Sequence, residues 1–215
     1  MFANTSPYIL TNMHREILTK EQIELLPVIS KFKGDFGLVG GTAAALHIGH
    51  RRSIDFDMFS LKSFVNEDIR KILTSAFPIE QELVDRDGEY TIKINSVKAT
   101  FYQYRIPIDF PDVFENSMRV ADLVTIAAMK IHALGSRAKW KDYVDLYFIL
   151  KNKHTIDELD AKAHEILHGE FNARLFRQRL ALFFDIRYDE QVEFMPGFEV
   201  SSREIKEYLR EVSLS

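Results

Sequence analysis

The chain has 215 residues, a formal net charge of −4, 46% apolar and 28% charged residues, and no cysteine. These values exclude a disulfide framework and a thiolate metal site, and fit a globular protein of a reducing, cytoplasmic compartment. The acidic balance works against nucleic acid as a partner of the overall field, so such a partner would need a local basic patch. Residues 1–10 carry no basic segment and no long apolar stretch, so no secretory signal is expected, and no run is long enough to span a membrane.

The spacing of Ile23, Leu26, Ile29 and Phe32 predicts a helix that starts at Thr19-Lys20-Glu21-Gln22, with a kink or break at Pro27. Lys33-Gly34-Asp35 ends it, and residues 36–39 read as a short buried strand. Gly40-Gly41 follows, then a short helix over 42–48 and a loop, Gly49-His50-Arg51-Arg52. Residues 53–58 alternate as a half-buried strand, with Ile54, Phe56 and Met58 on one face and Ser53, Asp55 and Asp57 on the other. A helix over 65–77 comes next. Three strands follow, over 79–84, 90–94 and 97–104, with Asp87-Gly88 and Asn95-Ser96 as turns of an antiparallel meander. Residues 105–116 show no periodicity and read as a connector. Helices are predicted over 120–137, 142–151, 156–167, 172–184 and 201–212, the last capped by Ser201 or Ser202 with Glu204 in its first turn. The fold class is therefore α+β with a helical C-terminal lobe, divided into 1–112 and 113–215. Seventeen Phe and eight Tyr point to a Phe-rich core.

The residues that carry chemistry run from Leu38 to Phe59. Gly40-Gly41 lets backbone approach a phosphate, and the helix starting at Thr42 aims free N–H groups at an anion. Two residues apart on a strand, Asp55 and Asp57 face the same way and can share one hard cation such as Mg²⁺ or Mn²⁺. The bland alternative is a solvent-facing Asp-X-Asp after an ordinary glycine turn. The upstream helix start and the apolar strands around both parts favour a metal and nucleotide site. In the second half, Lys130 and Arg137 lie two turns apart on one predicted helix, and Lys141-Asp142 opens the next. Alone this pair reads as solvated amphipathic helices. His47 and His50 have metal-ligand spacing but no third ligand in evidence. Lys139-Trp140-Lys141, Lys151, Lys153, Arg174, Arg177, Arg179 and Arg187 form the most basic stretch, either a track for an RNA backbone or solvated helix faces.

Two blocks together resemble the AbiEii/AbiGii-type nucleotidyltransferase toxin family. The first is Gly40, Gly41, Thr42, Ala43, Ala45, Leu46, Ile48, Gly49, His50, Arg51, Ser53, Asp55, Asp57 and Phe59; the second is Lys130, Ala133, Leu134, Arg137, Lys141, Asp142, Tyr143, Asp145, Leu146 and Tyr147. The resemblance covers about residues 20–152 and implies a nucleotidyltransferase fold of the DNA-polymerase-β type, a mixed or antiparallel sheet flanked by helices. It implies Mg²⁺, an NTP donor, an RNA or tRNA acceptor, and a cognate antitoxin protein or a phage-defence role such as abortive infection. Carried over by position, Asp55 and Asp57 hold the metal. Gly40, Gly41, Thr42, Arg51, Ser53, Lys130 and Arg137 hold the nucleotide, with Lys130 on the triphosphate. Asp142 acts as base, metal-proximal carboxylate or orienter of Lys130. The chain departs from the fold's common pattern at Thr100, where a third carboxylate is expected. That departure motivates the alternative of a catalytically degenerate nucleotide-binding or protein-interaction module.

Overall fold

A computed structural model describes residues 13–183 and 186–215. The stretch 1–10 and the end of the helix expected over 172–184 fall outside the described residues. The chain divides into two compact units. One gathers Thr19–Val39 with Ile54–Asp122; the other gathers His14–Leu18, Gly40–Ser53 and Leu123–Ser215.

The first unit is a sheet of seven strands among the described residues, in the order β3-β4-β5-β2-β1-β7-β6. The strands are β1 (Gly37–Val39), β2 (Phe56–Ser60), β3 (Ile79–Arg86), β4 (Glu89–Ile94), β5 (Val97–Gln103), β6 (Asp112–Phe114) and β7 (Met118–Val120). The expected meander is β3-β4-β5, antiparallel throughout. The sheet is mixed, because β2 pairs in parallel with β5 and β1 in parallel with β7. Helices α1 (Lys20–Ile29) and α3 (Asn66–Thr74) belong to this unit.

Helix α1 starts in a full capping box: the Gln22 N–H donates to Thr19 Oγ1 at 3.2 Å, and the Thr19 N–H donates to Gln22 Oε1 at 3.0 Å. Pro27 stays inside α1, which runs on to Ile29 before a 3₁₀ turn over Ser30–Phe32. So the break falls after the proline, where the Ser30 hydroxyl donates to the Pro27 carbonyl at 2.8 Å. The aromatic core was legible in outline. Phe101 is fully buried. Its ring centroid lies 4.9 Å from that of Phe32 and 5.3 Å from that of Phe36, both edge-on.

Two sequence expectations are corrected here. Strand β2 begins at Phe56 rather than at Ser53, and Ile54 is 53% exposed instead of sharing the buried face of Phe56 and Met58. The alternation is real but starts three residues late, because β2 pairs with β1 only from Asp57 onward and with β5 only from Phe56 onward. The connector over 105–116 also contains β6, which forms a hairpin with β7. Its turn is carried by Glu115 and Asn116, both at positive φ (45° and 55°). Asn tolerates that conformation, but Glu gives no such signal in sequence.

The second unit is helical: α2 (Gly40–Ile48), α4 (Leu123–Ser136), α5 (Trp140–Asn152), α6 (Ile156–Leu167), α7 (Ala173–Ala181) and α8 (Ser202–Ser213). Its core centres on α5, where Tyr143, Val144, Leu146, Tyr147 and Ile149 are all buried. Ser201 caps α8, accepting from the Glu204 N–H at 3.1 Å. Among the described residues no helix is long and apolar enough to cross a membrane.

Replacing Phe101 by Ala should cost about 3–5 kcal/mol of unfolding free energy, because the cavity opens where two other rings meet. Urea denaturation followed by fluorescence checks this. A loss under about 1 kcal/mol would show that the ring is not a core element.

Candidate active site

In the sheet unit, Asp57 on β2 lies in register with Thr100 on parallel β5, and Thr100 lies in register with Thr91 on β4. The Thr91 hydroxyl meets that of Thr100 at 3.4 Å. The position expected to bear a third carboxylate is thus a neighbour of Asp57, and it is a threonine. Asp55 lies just before β2, and its Oδ2 is 2.9 Å from the Lys98 ammonium. A cation therefore already sits on one of the two carboxylates. No group of three or more His, Asp or Glu converges as a metal cage among the described residues. Mg²⁺ does not require one, since it binds through one or two carboxylates and keeps waters and phosphate oxygens as its other ligands. Asp55 and Asp57 offer oxygen donors of the kind such a cation prefers, and Lys98 engages Asp55.

In the helical unit, Gly40 opens α2 at φ +73°, a conformation that favours glycine. Gly41 is required for a different reason. A Cβ there would lie 2.6 Å from Arg51 Nη2 and 3.0 Å from Ser53 Oγ. Thr42 is buried, and its hydroxyl donates to Ser53 Oγ at 3.0 Å. The start of α2 is thus closed onto the loop that follows it.

Arg51 is 2% exposed. Its Nε donates to Asp145 Oδ1 at 2.7 Å, its Nη2 to Asp145 Oδ2 at 2.8 Å, and its Nη1 to the Arg52 carbonyl at 2.9 Å. This is a two-pronged guanidinium–carboxylate pair. The same Asp145 accepts from His50 Nε2 at 2.7 Å and faces the Lys130 ammonium at 2.7 Å. Lys130, from α4, also donates to Asp142 Oδ1 at 2.7 Å. Asp142 and Asp145 stand one turn apart on α5, so one ammonium is held between two carboxylates. Asp142 Oδ2 and His50 Nδ1 are buried with no hydrogen-bond partner in the structure.

The electrostatics follow from burial set against pairing. Burial works to raise the Asp145 carboxyl, but Arg51, Lys130 and His50 outweigh it and hold the group well below the usual carboxylate range. Burial works to lower the Lys130 ammonium, and Asp142 with Asp145 reverses that, so it stays charged. For His50 burial wins over the attraction of Asp145, and the imidazole is pushed below its ordinary value.

The helical unit thus brings together Gly41, Thr42, Arg51, Ser53, Lys130 and Asp142. Arg137 follows directly on α4, its N–H still donating to the Ala133 carbonyl at 2.8 Å, but its side chain is exposed while Lys130 is buried. His50 serves the ion cluster through Asp145. The basic stretch is largely matched by acids. Lys139 and Lys141 pair with Glu190 at 2.7 and 2.9 Å, and Glu190 is held down at about 2 by them. Lys151 pairs with Glu204, Arg177 with Asp157 and Asp160, and Arg187 with Asp189. Asp145 appeared in sequence only as a member of the second block, with no role. Its spacing of three from Asp142, on a helix opposite Lys130, was the available signal. The pairing with Arg51, 94 positions away, was not.

Asp145→Asn should destabilise the protein by about 3–5 kcal/mol, because two buried cations lose their shared anion. Stability should also fall on acidification. The unfolded chain takes a proton on His50 near 6.5 while the folded chain takes it at lower pH, so unfolding free energy is full above 6.5 and declines below it. Asp145 adds a second loss below 3.8, for the same sign reason. Denaturant titrations from about pH 8 to about pH 2 test both windows; a curve flat between about pH 7 and pH 5 would contradict the assignment to His50.

Comparison with known proteins agrees with this architecture. JHP933 from Helicobacter pylori has a similar structure, with a TM-score of 0.63 at 18% identity, covering 94% of this chain and 92% of that one. MenT4, a nucleotidyltransferase toxin from Mycobacterium tuberculosis H37Rv, superposes with a TM-score of 0.64 at 12% identity, over 89% of this chain and 80% of its own. At these identities the likeness shows the fold. In sequence, the Aquifex aeolicus protein aq_aa25 is 30% identical over 209 residues, 89% of this chain and 98% of the relative. The family described as nucleotidyl transferase AbiEii toxin, type IV toxin–antitoxin system, matches residues 25–211. With a nucleotidyltransferase sheet, both motif blocks and a match over nearly its whole length, the chain belongs to the AbiEii nucleotidyltransferase toxin family.

Proposed function

We propose that the protein transfers a nucleoside monophosphate from an NTP to an acceptor hydroxyl of RNA, with one Mg²⁺ carried by Asp55 and Asp57. The observation that carries this reading is the Asp-X-Asp at the start of β2, with Asp57 on the strand and Asp55 just before it, in a chain of the nucleotidyltransferase family. The acceptor oxygen bonds to the α-phosphorus, the bond from that phosphorus to the bridging oxygen breaks, and pyrophosphate leaves. The hydroxyl proton passes to water. A bound Mg²⁺ supplies charge neutralisation on the phosphates. Gly40, Gly41 and Thr42 offer backbone N–H groups at the start of α2, and Lys130 offers a permanent positive charge to the triphosphate. A cognate antitoxin protein is the partner that the family description suggests.

Thr100, in register with Asp57, favours a second reading. In it the chain keeps a nucleotide-binding site but has lost transfer, and acts as a binding module.

Incubation with each labelled NTP, Mg²⁺ and total RNA separates the two. Transfer of label should occur with the wild type, need the divalent cation, and drop about 10²–10³-fold in Asp57→Ala. Nucleotide binding without transfer, indifferent to Mg²⁺ and to Asp57→Ala, would establish the second reading instead.

A further inference from the structure

The two carboxylates that share Lys130 are not equivalent. Asp145 is saturated: Oδ1 meets His50 Nε2 and Arg51 Nε, and Oδ2 meets Arg51 Nη2 and Lys130 Nζ, all within 2.8 Å. It is fully buried and has no capacity left for a ligand. Asp142 gives one oxygen to Lys130 and keeps the other open. Asp145 is also the point where two stretches far apart in sequence are tied together. Through Arg51 it reaches the start of α2, where only glycine at position 41 leaves room for the guanidinium. Through Lys130 it reaches α4.

We propose that Asp145 is a positioning residue for nucleotide binding, holding the Lys130 ammonium in one place so that Lys130 can meet a triphosphate while Asp142 Oδ2 stays open. Of the three N–H groups of Lys130, two are taken by Asp142 and Asp145, which leaves the third for a phosphate oxygen. Without Asp145 the ammonium would swing onto Asp142 alone, and both the open oxygen and the free N–H would lose their fixed directions. In the same framework Gly41 serves the ion cluster as well as a phosphate. This rests on the reading of Lys130 as a triphosphate ligand, so the test has an arm that needs no nucleotide.

That arm is the Nζ resonance of Lys130 in protein labelled with ¹⁵N-lysine, assigned by its loss in Lys130→Ala. A buried ammonium gripped by two carboxylates exchanges its protons slowly enough to be seen. The signal should be present in the wild type and vanish or shift in Asp145→Asn under conditions where circular dichroism shows a folded protein. The second arm is calorimetric titration with NTP and Mg²⁺. Asp145→Asn and Lys130→Ala should each weaken binding by about tenfold, and the double variant should be no weaker than Lys130→Ala alone, since Asp145 acts through Lys130. A merely structural role would make the two losses add. Should Asp145→Asn not fold, Arg51→Lys keeps the charge but removes the two-pronged grip, and should disturb the Lys130 resonance in the same sense. An unchanged Lys130 resonance in a folded Asp145 or Arg51 variant overturns the proposal whatever the nucleotide does. A disturbed resonance with additive binding losses overturns it too. A wild type that shows the resonance and its dependence on Asp145 but binds no NTP refutes the triphosphate role and leaves Asp145 as the residue that fixes Lys130.

Discussion

One buried carboxylate organises the helical unit. Asp145 takes up the guanidinium of Arg51, the ammonium of Lys130 and an imidazole N–H of His50, all of them buried. Removing such charges from water is costly, and only near-complete mutual pairing offsets that cost. The offset demands geometry, and the geometry explains features that would otherwise look unrelated. Position 41 has to be glycine, because a side chain would strike Arg51. His50 stays neutral, because its desolvation outweighs the pull of a carboxylate already matched by two cations. Asp142 is left with an open oxygen, because Lys130 is shared with Asp145.

The sheet unit follows a different logic. Its chemistry depends on strand register rather than on a buried ion cluster. Parallel pairing of β2 with β5 sets Thr100 beside Asp57, and antiparallel pairing of β5 with β4 sets Thr91 beside Thr100. A row of one carboxylate and two hydroxyls results where two carboxylates were expected. Asp55, ahead of the strand, turns to Lys98. Among the described residues these groups form no complete metal cage.

The charged surface shows why a basic stretch in sequence is weak evidence for nucleic-acid binding. Lys139, Lys141, Lys151, Arg177 and Arg187 each meet an acidic side chain. Several of these acids come from distant segments, such as Glu190 and Glu204, so the pairing is invisible to a local count of charge. An RNA acceptor would have to compete with these carboxylates.

Local patterns carried much of the fold. The Thr19/Gln22 and Ser201/Glu204 caps, the Asp87-Gly88 and Asn95-Ser96 turns and the alternation through 90–103 are each decided within a few residues, and so is the glycine that opens α2. The two motif blocks named the family for the same reason, because spacing along a strand or helix is a local property. The start of β2 and the β6–β7 hairpin depended on partners elsewhere, and sequence misplaced them. The central role of Asp145 was hidden most completely. A carboxylate on a helix becomes an anchor only once Arg51, 94 residues earlier, and Lys130, on another helix, are folded against it. Sequence alone determined which groups are available; tertiary structure decided which are buried together, and burial turns a surface charge into a positioned one.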